Sequence, residues 1–346
     1  MMRKGLVSIV MAVHNEQESY LRSAITSMFR QTYNKWELII IDDESDETCQ
    51  GVLCKLCEGR DNVLIVHNES NQGLTKSLNR GLSLAKGEFI ARMDADDISM
   101  PKRLEKQVDY LNQHPDIDIV GTGVISFGNE NIFMSPAFGY TNDQAQCTLF
   151  FSSTLCHPSV MMRKSFLNKY NLMYDENVRK GQDYDMWERC SVYGKLAVMN
   201  DVLLFYRTHA KQITNTNRTD QNTSAEMIQR RRLKRLGIEV TDREFQCHKL
   251  LSSGANSQIS PSEVSSWVCK IIQCNSIAHL ADSRQLKKNL NERLTLYKIR
   301  NHARLMSYRP YELMIVLGVM MNRFCMKLKL KKQNIKFKKV LREYEK

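Results

Sequence analysis

A chain of 346 residues is more than one average domain needs, and its mix of apolar and charged residues points to a globular protein built as one large domain plus an appendage. The formal charge of +12 is uneven: Lys and Arg thicken after Asn217 and dominate from Lys327 to Lys346, so that end is expected to have an anionic partner such as a membrane surface, nucleic acid or another acidic surface. No stretch reaches the roughly 18 to 20 apolar residues of a spanning helix, and ten cysteines without regular pairing, with no signal peptide, predict the reducing cytoplasm.

Residues 6–13 (LVSIVMAV) form a continuous apolar run of the kind buried on both faces of a parallel sheet. His14-Asn15-Glu16 breaks it, and Tyr20, Leu21, Ala24, Ile25, Met28 and Phe29 follow at helical spacing. Residues 36–41 (WELIII) read as a second strand ending at Asp42-Asp43-Glu44-Ser45-Asp46; a helix over 48–58, a strand over 63–67, a turn at Asn71-Gln72-Gly73 and a helix over 74–85 come next. The strand at 89–93 then feeds Asp94-Ala95-Asp96-Asp97. Such alternation implies a doubly wound sheet, in which ligands bind beyond the carboxyl ends of the strands near a switch point. Further on, Tyr184, Trp187 and Cys190 recur at helical spacing, which puts Asp183 at a helix start and Asp185 just inside it. Residues 215–310 read as helical and polar.

Three polar clusters thus fall at strand ends. Asp-x-Asp on an extended segment turns two carboxylates to one side, the number that Mg²⁺ usually takes from protein, with substrate phosphates and water completing the shell. The competing role is a solvated acidic turn in which Asp94 or Asp97 caps a helix starting near Pro101. Asp42 and Asp43 can accept hydrogen bonds from the N–H of a uracil-type base or from ribose hydroxyls, with helix capping as their alternative. Neither a Gly-x-Gly-x-x-Gly fingerprint nor a Gly-x-x-x-x-Gly-Lys-Ser/Thr loop occurs, which argues against dinucleotide enzymes and P-loop NTPases. Cys54 and Cys57 fall inside a helix with Leu53 and Leu56 and are read as structural.

Taken in order, residues 7–15 (VSIVMAVHN), Ile41-Asp42-Asp43-Glu44-Ser45, Asn71-Gln72-Gly73-Leu74 and Asp94-Ala95-Asp96-Asp97 resemble the nucleotide-sugar half of the family two glycosyltransferases, inverting enzymes of the GT-A fold. The resemblance covers residues 5–210. It implies an α/β fold, a doubly wound mixed sheet flanked by helices, with a catalytic domain over 1–215 (nucleotide-sugar half 1–100, acceptor half 101–215); beyond it, the residues themselves predict a helical, basic region over 216–346. It further implies that Ala12, Val13 and His14, with Asn15 beside them, line base and ribose, and that Asp43 binds the base with Asp42 next to it. Asp94, with Ala95 following, approaches the ribose or the metal, and Asp96 ligates the Mn²⁺ or Mg²⁺ that bridges the diphosphate. Two departures stand out: the usual Pro-x-Tyr-Asn is Ala12-Val13-His14-Asn15, and the usual Asp-Asp-Gly-Ser is Asp42-Asp43-Glu44-Ser45.

Inversion at an anomeric carbon needs a carboxylate to take the proton of the acceptor hydroxyl. Gln182-Asp183-Tyr184-Asp185-Met186-Trp187 resembles the family's Glu-Asp-Tyr-Asp-Leu-Trp, which assigns the base to Asp183, with Gln182 in place of the usual Glu. The alternative for Asp183 is a helix N-cap. His157-Pro158-Ser159-Val160 and Tyr206-Arg207-Thr208-His209 also resemble family segments; His209 is a candidate metal ligand, Arg207 a candidate for neutralising diphosphate charge. The Gln-x-x-Arg-Trp signature of processive synthases is missing, which favours transfer of a single sugar.

Residues 313–321 (LMIVLGVMM) are too short to span a bilayer and precede Lys327, Lys329, Lys331, Lys332, Lys336, Lys338 and Lys339. Such a segment can lie in the headgroups of an anionic leaflet, each basic residue adding on the order of 1 kcal/mol; packing of a C-terminal helix on the catalytic domain is the alternative. The expectation is therefore a glycosyltransferase at the cytoplasmic face of the inner membrane, using a UDP-linked sugar and a glycan or lipid-linked acceptor in surface-polysaccharide (O-antigen or capsule) assembly, without nucleic acid. A nucleotidyltransferase would need a glycine-rich basic loop that residues 12–16 lack, and a nucleic-acid-binding protein leaves the acidic strand ends unexplained.

Overall fold

A computed structural model describes residues 2–128, 133–134, 139–178, 180–209, 218–253 and 259–301. The chain alternates β1 (Arg3–Val13), α1 (Glu18–Phe29), β2 (Trp36–Asp42), α2 (Glu47–Cys57), β3 (Val63–His67), α3 (Leu74–Leu84) and β4 (Gly87–Arg92). It then runs through β5 (Ile98–Ser99), α4 (Arg103–Gln113), β6 (Ile119–Phe127), β7 (Phe133–Met134), α5 (Asn142–Thr148), β8 (Met161–Arg163), α6 (Lys164–Lys169), α7 (Gln182–Cys190) and β9 (Leu196–Arg207). Helices α8 (Arg218–Arg235), α9 (Asp242–Ser253), α10 (Pro261–Ala278) and α11 (Ser283–Asn301) follow.

The strands form one mixed sheet in the order β3-β2-β1-β4-β8-β6-β9-β5, with β7 on β6. β3, β2, β1 and β4 are mutually parallel, whereas β8 runs antiparallel to both β4 and β6. The chain leaves β1 in one direction to β2 and β3 and returns to its other side with β4, so the switch point lies between β1 and β4. Register aligns the strand ends: Val13 pairs with Asp42, Asp42 with His67, and Val10 with Arg92. One face of β1 (Val7, Ile9, Met11, Val13) packs with Leu21, Ile25 and Met28 of α1 and Leu53 of α2. On the other, α3 approaches so closely that a Cβ on Gly81 would lie 2.4 Å from Val10 Cγ1. Only glycine permits that contact.

The chain divides into two compact units. One comprises Met1–Thr141 and Leu155–Ser224 and contains the sheet; the other comprises Asn142–Thr154 and the described residues from Ala225 onward. In the second unit Phe150 and Phe151, just after α5, are buried with Leu233, Phe245, Trp267, Ile271 and Tyr297 of the C-terminal helices. His248 Nε2 and Phe150 O are 2.8 Å apart, and Gln229 Nε2 donates to Phe151 O at 2.8 Å, which ties α5's flank to α8 and α9. Helix α10 begins with a complete capping box, Ser260 and Glu263 each satisfying the other's backbone N–H. Among the described residues no helix is long and apolar enough to cross a membrane. The apolar run 313–321 and the basic tail lie outside the described residues.

Candidate active site

Every candidate nucleotide- or metal-binding residue in the first hundred falls at the carboxyl end of β1, β2 or β4. Val13 directs its side chain into the core, and its carbonyl accepts the Asp43 N–H at 2.8 Å. Ala12 is half-buried, while His14 and Asn15 are exposed where β1 ends. Asn15 takes a left-handed φ of 49°; its N–H donates to Ser45 Oγ at 3.0 Å and its side-chain oxygen accepts from Asp46 N at 2.7 Å, so the loops after β1 and β2 are stitched together. The His14 ring nitrogen Nδ1 lies 2.8 Å from Asp43 O.

Asp42 and Asp43 are adjacent but do different work. Asp42 is fully buried; Oδ1 accepts from Ser45 N, and Oδ2 meets Gln50 Nε2 at 3.1 Å and His67 Nδ1 at 2.7 Å. It fixes the β2–α2 loop from inside. Asp43 reaches across to the β3–α3 loop: Oδ1 accepts from Asn68 Nδ2 at 2.6 Å and Gln72 N at 2.8 Å, Oδ2 from Gly73 N at 2.8 Å. Burial opposes its ionisation, but these donors and the Ser77 hydroxyl prevail and hold the carboxyl below the usual range. Neither residue caps a helix; Asp46 caps α2, accepting from Cys49 N at 2.8 Å.

Beyond β4, Asp94, Asp96 and Asp97 each present an oxygen within 4.8 Å of the others, while Ala95 is buried in the core. None of them caps the next helix, since α4 starts at Arg103 after Lys102 without a side-chain cap. Asp97 is fully buried: Oδ1 accepts the Arg207 N–H at 2.8 Å, and Oδ2 has no hydrogen-bond partner among the described residues. Asp96 Oδ2 faces His209 Nε2 at 3.0 Å, and its backbone carbonyl accepts from Arg207 Nε at 2.7 Å. Asp94 pairs with the buried Arg92. Burial raises the pKa of all three carboxyls; the Asp96 charge adds to it at Asp94, the Asp96 and Asp94 charges at Asp97, and the Glu16 charge at Asp96. Glu16 joins them; burial raises it too, against the pull of His209 and Arg207. An oxygen-only cluster with a buried, unpartnered carboxylate oxygen suits a hard divalent cation. Asp94, Asp96 and Asp97 therefore fit such an ion.

The acceptor-side candidate is near. Gly181, at a left-handed φ of 74°, turns the chain into α7, and Asp183 is half-buried as its second residue, inside the helix rather than at its cap. Asp185 is fully buried and pairs with Arg189 at 2.8 Å, which serves the helix. Cys156 lies in the field of Asp97, Asp94 and Asp183 together; burial first, then these charges, push its thiol well up. That common neighbour puts Asp183 in the electrostatic surroundings of the β4 cluster. His157 is different: burial keeps its pKa well down, Nε2 lies 2.8 Å from the Tyr174 hydroxyl, and its ring meets Trp187 edge-on.

Two buried arginines were not assigned roles by sequence reasoning. Arg92 is 3% exposed and faces Asp94, and Arg103 is fully buried, donating to Arg92 O at 2.6 Å. The signal was available in Arg92, a cation following the apolar residues 89–91, because a buried charge demands a partner nearby.

Glycosyl transferase family 2 matches residues 8–170. A glycosyltransferase of Methanocaldococcus jannaschii is 36% identical over 211 residues, 60% of this chain and 72% of that protein. The O-antigen biosynthesis glycosyltransferase WbnJ of Escherichia coli is 31% identical over 210 residues, 60% of this chain and 81% of its own length. The crystal structure of S. aureus TarS 1–349 in complex with UDP-GlcNAc shares the fold, with a TM-score of 0.57 at 17% identity, covering 86% of this chain and 93% of that one. The chain is a glycosyltransferase of GT-A fold and belongs to glycosyl transferase family 2.

Proposed function

We propose that this enzyme moves one sugar from a nucleoside-diphosphate sugar, UDP-linked, to a hydroxyl of a glycan or lipid-linked glycan, inverting the anomeric centre. The observation that carries the reading is the gathering of Asp94, Asp96 and Asp97 within 4.8 Å at the switch point, with Asp183 acting on the same Cys156 thiol as Asp94 and Asp97. Residues 1–215 would hold the catalytic machinery. Ala12, Val13, His14, Asn15 and Asp43 would bind base and ribose, with Asp42 holding their loop from within. Asp94 and Asp96, together with Asp97 and His209, would hold Mn²⁺ or Mg²⁺, which when bound would supply positive charge against the diphosphate. Ala95 keeps the two carboxylates one residue apart.

Asp183 is the base in this scheme. The acceptor oxygen forms its bond to C1 as the bond from C1 to the phosphate oxygen breaks; the hydroxyl proton passes to the Asp183 carboxylate, and the nucleoside diphosphate departs with the electron pair. TarS crystallised with UDP-GlcNAc supports a UDP-sugar donor, and the O-antigen role in the name of WbnJ supports a surface-polysaccharide acceptor. Such an acceptor places the enzyme at the cytoplasmic face of the inner membrane, where the basic residues 327–346 would meet anionic lipid.

The test is a panel of UDP- and GDP-sugars assayed for release of nucleoside diphosphate with and without Mn²⁺. Metal-dependent release from a UDP-sugar is expected. Release from GDP-sugars alone would reassign the base, and release from none at any metal concentration would remove the reading.

A further inference from the structure

We infer that Tyr20, on the first turn of α1, is a positioning residue of the metal-binding centre. The inference rests on the reading of Asp96 as a metal ligand. By its spacing Tyr20 belongs to the apolar stripe of α1, yet unlike Leu21, Ala24, Ile25 and Met28 it is only half-buried and is not part of the core beneath the helix. Its ring is occupied elsewhere. The Arg207 guanidinium carbon lies 4.1 Å from the Tyr20 ring centre and 4.4 Å from that of Phe127. The His209 ring lies 5.6 Å from the same tyrosine, tilted by 45°.

Those two residues are the ones that hold Asp96. Arg207 Nε donates to the Asp96 carbonyl at 2.7 Å, the Arg207 backbone N–H donates to Asp97 Oδ1 at 2.8 Å, and His209 Nε2 faces Asp96 Oδ2 at 3.0 Å. Arg207 is 6% exposed, so its charge is largely removed from water, where an aromatic face is worth most to a cation. A flat ring against a flat guanidinium also restricts the side chain to orientations that keep Nε on the carbonyl. Phe127 fixes its neighbour in turn, since its carbonyl accepts both the N–H and the hydroxyl of Thr208. One aromatic side chain from the start of the fold therefore backs both groups, the Arg207 guanidinium at the end of β9 and the His209 ring just beyond it, that set the Asp96 backbone and carboxylate.

Without the ring, Arg207 and His209 gain rotamers, and Asp96 loses the orientation that a metal site needs in advance. Tyr20→Leu is expected to weaken Mn²⁺ binding about tenfold in the presence of UDP, and Tyr20→Phe, which keeps the aromatic face, to stay within about twofold of wild type. The experiment reads free Mn²⁺ by electron paramagnetic resonance during titration of the full chain with UDP, so it does not depend on turnover. Wild type and Asp96→Ala are run alongside. If wild type binds no Mn²⁺, or Asp96→Ala binds as well as wild type, the metal-site reading itself falls. If wild type binds, Asp96→Ala does not, and Tyr20→Leu matches wild type, only the role of Tyr20 is overturned. A double-mutant cycle with Arg207→Lys, which keeps the charge but loses Nε and the planar face, separates positioning from general destabilisation. Coupling supports the inference. Strict additivity of the two losses, or equal losses for Tyr20→Leu and Tyr20→Phe, would overturn it. Should Tyr20→Leu fail to fold, Tyr20→Phe and Tyr20→Met carry the same contrast.

Discussion

The loop after β2 and the loop after β4 both carry aspartates at the carboxyl end of the sheet, yet they are finished in different ways. Asp43 is met by two backbone N–H groups, an asparagine amide and a hydroxyl, and its carboxyl is held below the usual range. The second loop has three carboxyls raised by burial and by neighbouring carboxylates, opposed by Arg92 and His209 at their flanks, with one buried oxygen on Asp97 lacking a hydrogen-bond partner among the described residues. Fixed dipoles complete the first loop; the second gathers carboxyls that burial holds above their usual range. The first is finished by donors from the protein, and the second offers the oxygen donors that a hard divalent cation takes.

The largest effect expected is on chemistry. Asp183→Asn should lower the rate of transfer by about 10² to 10⁴ while leaving UDP affinity unchanged; loss of both together would make Asp183 structural and detach α7 from the comparison. Next comes Asp43→Ala, which strands the N–H groups of Gln72 and Gly73 and should cost about 3 kcal/mol in urea unfolding. Because the folded pKa of Asp43 is lowered, its stabilisation is present above the unfolded carboxylate value near pH 4 and is lost as pH falls through the folded one. Wild type should therefore lose stability on acidification more steeply than Asp43→Asn.

Asp97→Asn carries the opposite sign. A raised folded pKa means that the metal-free protein gains stability as pH falls from that value towards the unfolded one, so above the unfolded value burial of this carboxyl opposes folding. Asp97→Asn should stabilise the metal-free protein at pH 7 by about 1 to 2 kcal/mol; a destabilisation there would erase the distinction between the loops. The smallest effect lies outside both: Ser260→Ala removes the capping box of α10 and should cost about 1 kcal/mol in unfolding of the second unit, with nucleotide binding unaltered.

The parallel half of the fold was legible because each of its elements satisfies one local rule. Residues 36–41, 63–67 and 74–85 read as strand, strand and helix, and the structure has them at Trp36–Asp42, Val63–His67 and Leu74–Leu84. The antiparallel additions were harder. β8 has three residues and β5 two, too short for a period to register, and they exist because β4, β6 and β9 offer them edges. The packing of Phe150 and Phe151 with Leu233, Phe245 and Trp267 is likewise a long-range fact without a local signature. In the site, the carboxylates could be read from their strand ends. Which of them turns outward could not: Asp42 and Asp43 are neighbours of one type, and only the positions of His67, Asn68 and Gly73 decide that the first is sealed inside and the second spans to the next loop.

In the proposed function the β4 loop needs a cation in order to hold a nucleotide. Calorimetric titration of UDP into the protein, with and without Mn²⁺ and repeated on Asp96→Ala, tests it directly. The account predicts binding that requires Mn²⁺ and disappears in the variant; UDP binding of equal strength without metal, or undiminished in Asp96→Ala, would contradict it.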